Sequence, residues 1–189
     1  MQTYISILRG INVSGKRIIK MEALKELMQS LDFKNITTYI QSGNVVFQSK
    51  NMNSFKESVT NDLSEKISSA IEKQFGFEVP VITMTLEDLS TALNSNPFLK
   101  DKKKESAYMH ITFLSSAPKP ELFEAINQPN YLPDEITIID KCVYLYCPLG
   151  YGNTKLHNTF LENKLKVKAT TRNLKTSNEL LTIAQRIHA

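Results

Sequence analysis

Three short stretches hold more polar chemistry than a chain connection needs. They are Arg9-Gly10-Ile11-Asn12-Val13-Ser14-Gly15-Lys16, Gln41-Ser42-Gly43-Asn44 and, with Lys155 ahead of it, Thr171-Arg172-Asn173. An arginine fork grips phosphate or carboxylate through two parallel hydrogen bonds, lysine adds a point charge, and hydroxyls and amides supply short donors. The predicted ligand-binding set is Arg9, Gly10, Asn12, Lys16, Gln41, Ser42, Gly43, Asn44, Lys155, Thr171, Arg172 and Asn173. None of these is Asp, Glu, His or Cys. Proton transfer needs a group titrating near neutrality, and magnesium-assisted phosphoryl transfer needs carboxylates, so the motifs point to binding an anion and name no catalytic residue.

A structural reading stands beside the functional one. Asn12, Gln41 and Asn44 are suited to bonding turn backbone, the arginines to pairing with surface carboxylates, and Gly10 and Gly43 to supplying backbone shape. The first stretch is not a phosphate loop of the nucleotide-hydrolase kind, because its lysine follows one glycine at the wrong spacing. His157, beside Lys155, is the histidine best placed for chemistry; His110, between Met109 and Ile111, reads as a structural strand residue. Cys142 and Cys147 lie five apart in a strand-like run, point to opposite faces and read as buried thiols. With three histidines far apart, no metal and no cofactor are expected. Tyr144 and Tyr146 share one strand face, which serves either packing or base stacking.

The elements that position these residues follow from periodicity. Tyr4 to Leu8 is a strand, Met21, Leu24, Leu27, Met28 and Leu31 mark a helix, and Asn35 to Gln41 and Val45 to Gln48 are strands around a Ser42-Gly43-Asn44 hairpin. A stripe from Phe55 to Phe75 stops at Gly76, a C-terminal cap, before a strand over Phe77 to Met84 that holds Pro80 near an edge. Thr85 to Asp88 forms a capping box for a short helix. The order then recurs: strand Tyr108 to Leu114, helix Lys119 to Asn127, strands Glu135 to Ile139 and Val143 to Cys147, a helix with Leu156, Phe160, Leu161 and Leu165, and strand Val167 to Thr171. A second capping box at Thr176 to Glu179 opens the last helix.

Two copies of β-α-β-β-α-β plus a helix predict an α+β protein of two tandem ferredoxin-like subdomains with antiparallel sheets. The boundaries expected are 1–98 and 107–189, joined by a charged linker at 99–106 whose lysines read as a solvated loop or as a nucleic-acid patch. In such a unit the end of the first strand and the hairpin share one end. If the halves pack head to tail, one cleft collects Arg9, Lys16, Lys155 and Arg172.

The motifs RGINV at 9–13, YIQSGNVVF at 39–47, NPF at 96–98, KL at 155–156 and ATTRN at 169–173 resemble the signature of a bacterial family known only as a domain of unknown function. The resemblance runs from Tyr4 nearly to the carboxyl end and implies a two-part α+β fold, with no activity attached. The chain departs from that pattern at Ser14, where glycine is usual, at Asn153-Thr154, and at Leu174, where tryptophan commonly stands. The last departure removes a stacking ring.

Composition bounds the rest. At 189 residues, 41% hydrophobic, the chain buries a sizeable core, and a net charge of +4 with pI near 8.9 is mild for a dedicated polyanion binder. Neither a signal-peptide pattern nor a membrane-spanning stretch is read, which predicts a cytoplasmic protein without a membrane partner, a monomer or homodimer. The expected partner is an anionic small molecule or nucleotide, with nucleic acid as an alternative. Two other readings stay open: a transferase-like enzyme acting on such a ligand, and a dimerising interaction module.

Overall fold

The computed structural model describes residues 1–50, 56–127 and 130–188, without the side chains of residues 56, 125 and 127. Phe55, assigned by its spacing to a helical stripe, lies outside the described residues. The chain forms two compact units, Met1–Ser90 with the residues from Glu179 onward, and Thr91–Asn178. Each contains a four-stranded antiparallel sheet of the same strand order, so the ferredoxin-like reading holds in both.

In the first unit, β1 (Gln2–Leu8), α1 (Met21–Ser30), β2 (Lys34–Tyr39), β3 (Asn44–Ser49), α2 (Lys56–Phe75) and β4 (Val81–Thr85) build a sheet ordered β2-β3-β1-β4. Alternation sends Tyr4 and Leu8 of β1 and Val45 and Phe47 of β3 toward α1 and α2, where Leu24, Met28, Ile67 and Ile71 meet them in a buried core. α2 ends where Gly76, at φ +79°, donates to Glu72 O, as its sequence position predicts. The fourth strand is a correction. It begins after Pro80, not at Phe77, because proline has no N–H for the ladder, and Pro80 O accepts from Arg9 N at 2.9 Å. The expected capping box forms at the start of α3 (Leu86–Asn94), with Thr85 N and Asp88 N bonded to each other's side chains at 3.1 and 3.2 Å.

In the second unit, β5 (Met109–Leu114), α4 (Pro120–Asn127), β6 (Glu135–Ile139), β7 (Cys142–Tyr146), α5 (Asn158–Leu165) and β8 (Ala169–Asn173) give the order β6-β7-β5-β8. Leu114, Ile126, Val143, Leu145, Leu161 and Leu165 form its core on the helical side. On the opposite face Tyr144 is buried and donates to Ala92 O at 2.7 Å, so packing rather than base stacking accounts for it. The stretch read as a structureless linker is ordered. Asn96 caps a 3-10 turn at Pro97–Lys100, and Lys104 lies over the rings of Phe98 and Tyr146, 5.5 and 4.5 Å from their centroids, while pairing with Glu135. That lysine is held by aromatic faces and a carboxylate and is no part of a solvated patch.

Two boundary shifts bear on the site. β8 runs two residues later than the spacing predicts, so Thr171, Arg172 and Asn173 do not leave the strand but end it, with Thr112↔Thr171, Ile111↔Arg172 and His110↔Asn173 in register. The last helix, α6 (Leu174–His188), starts before the predicted capping box, because Asn173 Oδ1 takes the Thr176 N–H at 2.7 Å and serves as the N-cap itself. Among the described residues no helix is long and apolar enough to cross a membrane.

Candidate functional site

The polar stretches of the first unit meet each other within that unit. Beyond β1 the chain makes a small finger: Ser14 and Gly15, at φ +50° and +73°, form a two-residue turn with Lys16 N bonded to Val13 O at 3.0 Å. Asn12 spends its amide on holding this finger. Its Nδ2 donates to Ile19 O at 2.9 Å and to Gln41 O at 2.8 Å, and its Oδ1 accepts from Ile19 N at 2.9 Å. Asn44 is fully buried and donates to Tyr39 O at 3.0 Å and Ser42 Oγ at 3.1 Å. Gly43, at φ +82°, is buried so tightly that a Cβ there would stand 2.8 Å from Leu8 Cβ and from Ile11 Cδ1.

Asn12, Gly43 and Asn44 are thus scaffold. Lys16, Gln41 and Gly10 face solvent, and Arg9 and Ser42 are half-buried. The segment 9–20 carries Arg9, Lys16, Arg17 and Lys20 with no acid. Of the 23 Lys and Arg these four leave 19, the number of Asp and Glu, so the chain's net charge of +4 equals the charge of this one loop.

In the second unit the sheet end beside β8 gathers a different set. Tyr151, in a 3-10 turn at Tyr151–Asn153, donates to Thr171 Oγ1 at 3.0 Å; Thr171 in turn bonds Asn158 Oδ1 and Thr112 Oγ1, each at 2.7 Å. Arg172 is half-buried and donates from Nη1 to Thr171 O at 2.9 Å and toward Thr170 Oγ1 at 3.4 Å. His110 stacks on Tyr151 with ring centroids 4.9 Å apart. Asn173 is the α6 cap, and Lys155 is exposed. His157 is the N-cap of α5, its Nδ1 accepting from Phe160 N at 3.3 Å, which ties it to helix geometry.

A family model described as a protein of unknown function, DUF1697, matches residues 1–144. The chain belongs to this family. No curated protein matches it. Among solved structures, a conserved bacterial protein of Streptococcus pneumoniae is similar at 20% identity and a TM-score of 0.70, over 97% of this chain and 98% of that one. That likeness concerns the fold, which therefore extends past the family match to the chain's second sheet.

The electrostatics of this DUF1697 chain separate its titratable groups. Burial lowers the Arg172 guanidinium to about 10, with the neighbouring Tyr151 hydroxyl working in the other direction, so the group stays charged at neutral pH at a cost. Burial also lowers His110, against the pull of its bond to the Tyr108 carbonyl, and keeps the imidazole neutral near pH 7. The Cys147 thiol, pushed up to about 11 chiefly by burial, is no nucleophile. Among the described residues no group of three His, Cys, Asp or Glu is placed to hold a metal ion.

Sequence reasoning missed Tyr151, Thr112 and Asn158 and set His110 aside. Their link to Thr171 spans up to 59 residues and depends on cross-strand register. The one available signal was alternation in β5, which puts His110, Thr112 and the core residue Leu114 on one face.

Proposed function

We propose that this protein binds an anionic, phosphate-bearing ligand at the end of the second unit's sheet, with Arg172 as its anchor. The observation that carries this reading is a guanidinium held half-buried at a strand end, beside the Thr170 hydroxyl and the Thr171 carbonyl, with Tyr151 acting on its charge. Holding the charge there costs roughly 3 kcal/mol relative to water, from the fall of its pKa from the ordinary arginine range to about 10. An anion offering two oxygens to the fork would offset that cost, and Lys155, exposed in the segment after Tyr151, would add charge. The basic finger of the first unit suits the same ligand class by its charge.

The test is thermal denaturation with inorganic phosphate, nucleoside monophosphates and sugar phosphates. A ligand at about a hundred times its dissociation constant adds about 2.7 kcal/mol, which raises the melting temperature by about 5–11 °C in a protein of this size. Arg172→Gln should lose the shift. Because the folded-state pKa of this cation is depressed, its desolvation weighs against folding at neutral pH, and that weight lifts as pH rises past about 10. A panel without any shift, or a shift that survives Arg172→Gln, overturns the proposal. RNA retained at low salt with a steep salt slope would assign the anion to a nucleic-acid backbone.

A further inference from the structure

The finger between β1 and α1 breaks a rule that a solvated loop keeps. Residues 13–18 are exposed one after another, yet they include Val13 and Ile18, two large hydrophobic side chains at 57% and 56% exposure. Ile40 is a third, 48% exposed and at φ +50°, a backbone region that suits a β-branched residue poorly. The three belong to one corner of the first unit. Asn12 Nδ2 bonds Ile19 O and Gln41 O, and each exposed aliphatic is the chain neighbour of one residue at that junction: Val13 of Asn12, Ile18 of Ile19, Ile40 of Gln41. The same finger carries Lys16, Arg17 and Lys20, all exposed, and among the described residues none of these three is in an ion pair. Backbone bonds from Lys16 N to Val13 O and from Asn12 N to Arg17 O, at 3.0 and 3.1 Å, hold its path, so little further ordering is left for binding.

Single exposed aliphatics need no explanation, but three at one corner among unpaired cations make a surface of mixed character. A nucleic-acid backbone would meet the cations and leave the aliphatics in water, and residues 9–20 hold no aromatic ring on which a base could stack. A peptide partner fits a groove, whereas this surface is built on an exposed two-residue turn. A lipid surface uses both halves, because aliphatic side chains enter the headgroup layer while lysine and arginine meet anionic headgroups. We infer that the finger docks on an anionic membrane surface, with Val13, Ile18 and Ile40 entering the headgroup layer and Lys16, Arg17 and Lys20 set against lipid phosphates. This gives a reason for isoleucine at residue 40, where asparagine would suit the backbone better. The sequence expectation of no membrane partner rests on the lack of a spanning stretch, and peripheral docking needs none. The surface is also separate from the Arg172 site, which belongs to the second unit.

Vesicle sedimentation with the full chain at low salt decides it. The vesicles are phosphatidylcholine alone, or phosphatidylcholine with about one third phosphatidylglycerol to supply negative charge. Wild type should sediment with the anionic vesicles and stay in solution with the neutral ones. Replacing the cations together, as Lys16→Gln, Arg17→Gln and Lys20→Gln, should weaken anionic-vesicle binding about a hundredfold, from about fivefold for each charge. Replacing the aliphatics together, as Val13→Ser, Ile18→Ser and Ile40→Asn, should weaken it about tenfold or more without lowering the urea midpoint of unfolding. Arg172→Gln should bind vesicles as wild type does, which keeps the outcome here distinct from that of the phosphate site. Wild type that ignores anionic vesicles overturns the inference, as does an aliphatic variant that binds them unchanged. If single-stranded RNA binds through the same three cations while the vesicles do not, the occupant is a nucleic acid and the membrane reading falls.

Discussion

Gly43 and Gly15 make a matched pair for testing what the hairpin of the first unit is for. Both hold a left-handed backbone, at φ +82° and +73°, so alanine at either site meets the same backbone penalty of about 1–2 kcal/mol, partly offset by a stiffer unfolded chain. They differ in what surrounds them. Around Gly15 nothing lies within 4 Å of an added Cβ, whereas at Gly43 it would meet Leu8 Cβ and Ile11 Cδ1 at 2.8 Å. Leu8 Cβ sits directly on β1 and cannot swing aside, and Ile11 is 1% exposed, so relief requires the strands to part where Leu8 N bonds Gly43 O. Overpacking of that kind adds about 1–3 kcal/mol. Gly15→Ala should therefore cost about 1 kcal/mol and Gly43→Ala about 2–4 kcal/mol. Urea unfolding followed by hydrogen exchange across residues 1–50 reads the effect in that unit alone, provided the urea slope is unchanged. Two variants within about 0.5 kcal/mol of each other would refute the packing argument, with that threshold set by ordinary surface scatter.

Other substitutions sort scaffold from surface. Ile40, a β-branched residue at φ +50° and 48% exposed, gains little from packing and bears a left-handed backbone, so Ile40→Asn should stabilise the first unit by about 0.5–1 kcal/mol in the same urea assay. Asn173→Ala removes the α6 cap and should cost about 1 kcal/mol, lowering the melting temperature by about 2–4 °C, while leaving any phosphate-induced shift in place. That pattern is the reverse of the one expected for Arg172→Gln, one residue away.

The fold was legible because its signals are local and repeated. Period-two and period-3.6 patterns place the strands and helices, Gly76 stops α2, and the Thr85–Asp88 box forms as its residue types require. Errors fall where two local signals compete. Thr176 to Glu179 matches a capping box, yet Asn173 precedes it and its shorter side chain takes the Thr176 N–H first, so the helix starts a turn earlier. Pro80 precedes an edge strand as its type requires, but its missing N–H delays that strand from Phe77 to Val81. The candidate site was half legible for a different reason. Side-chain type names Thr171, Arg172 and Lys155, but the partners of Thr171 arrive through register, from Thr112 on the neighbouring strand and from Tyr151 and Asn158 in the turn and helix that precede β8.

Polar enrichment in a motif therefore has two physical sources, and burial tells them apart. Asn12, Asn44 and Asn173 are amides because a turn or a helix start exposes backbone groups that a short amide satisfies, Asn12 with both its ends; replacing any of them by a hydrocarbon strands those groups. Arg172 is a different case: burial works against its charge, and among its contacts are a backbone carbonyl and a hydroxyl of its own strand. Residues that stabilise the fold spend their hydrogen bonds inside it. Arg172 instead holds its charge against burial at one end of one sheet, and it is this cost, more than the density of polar residues, that singles it out as the proposed anchor.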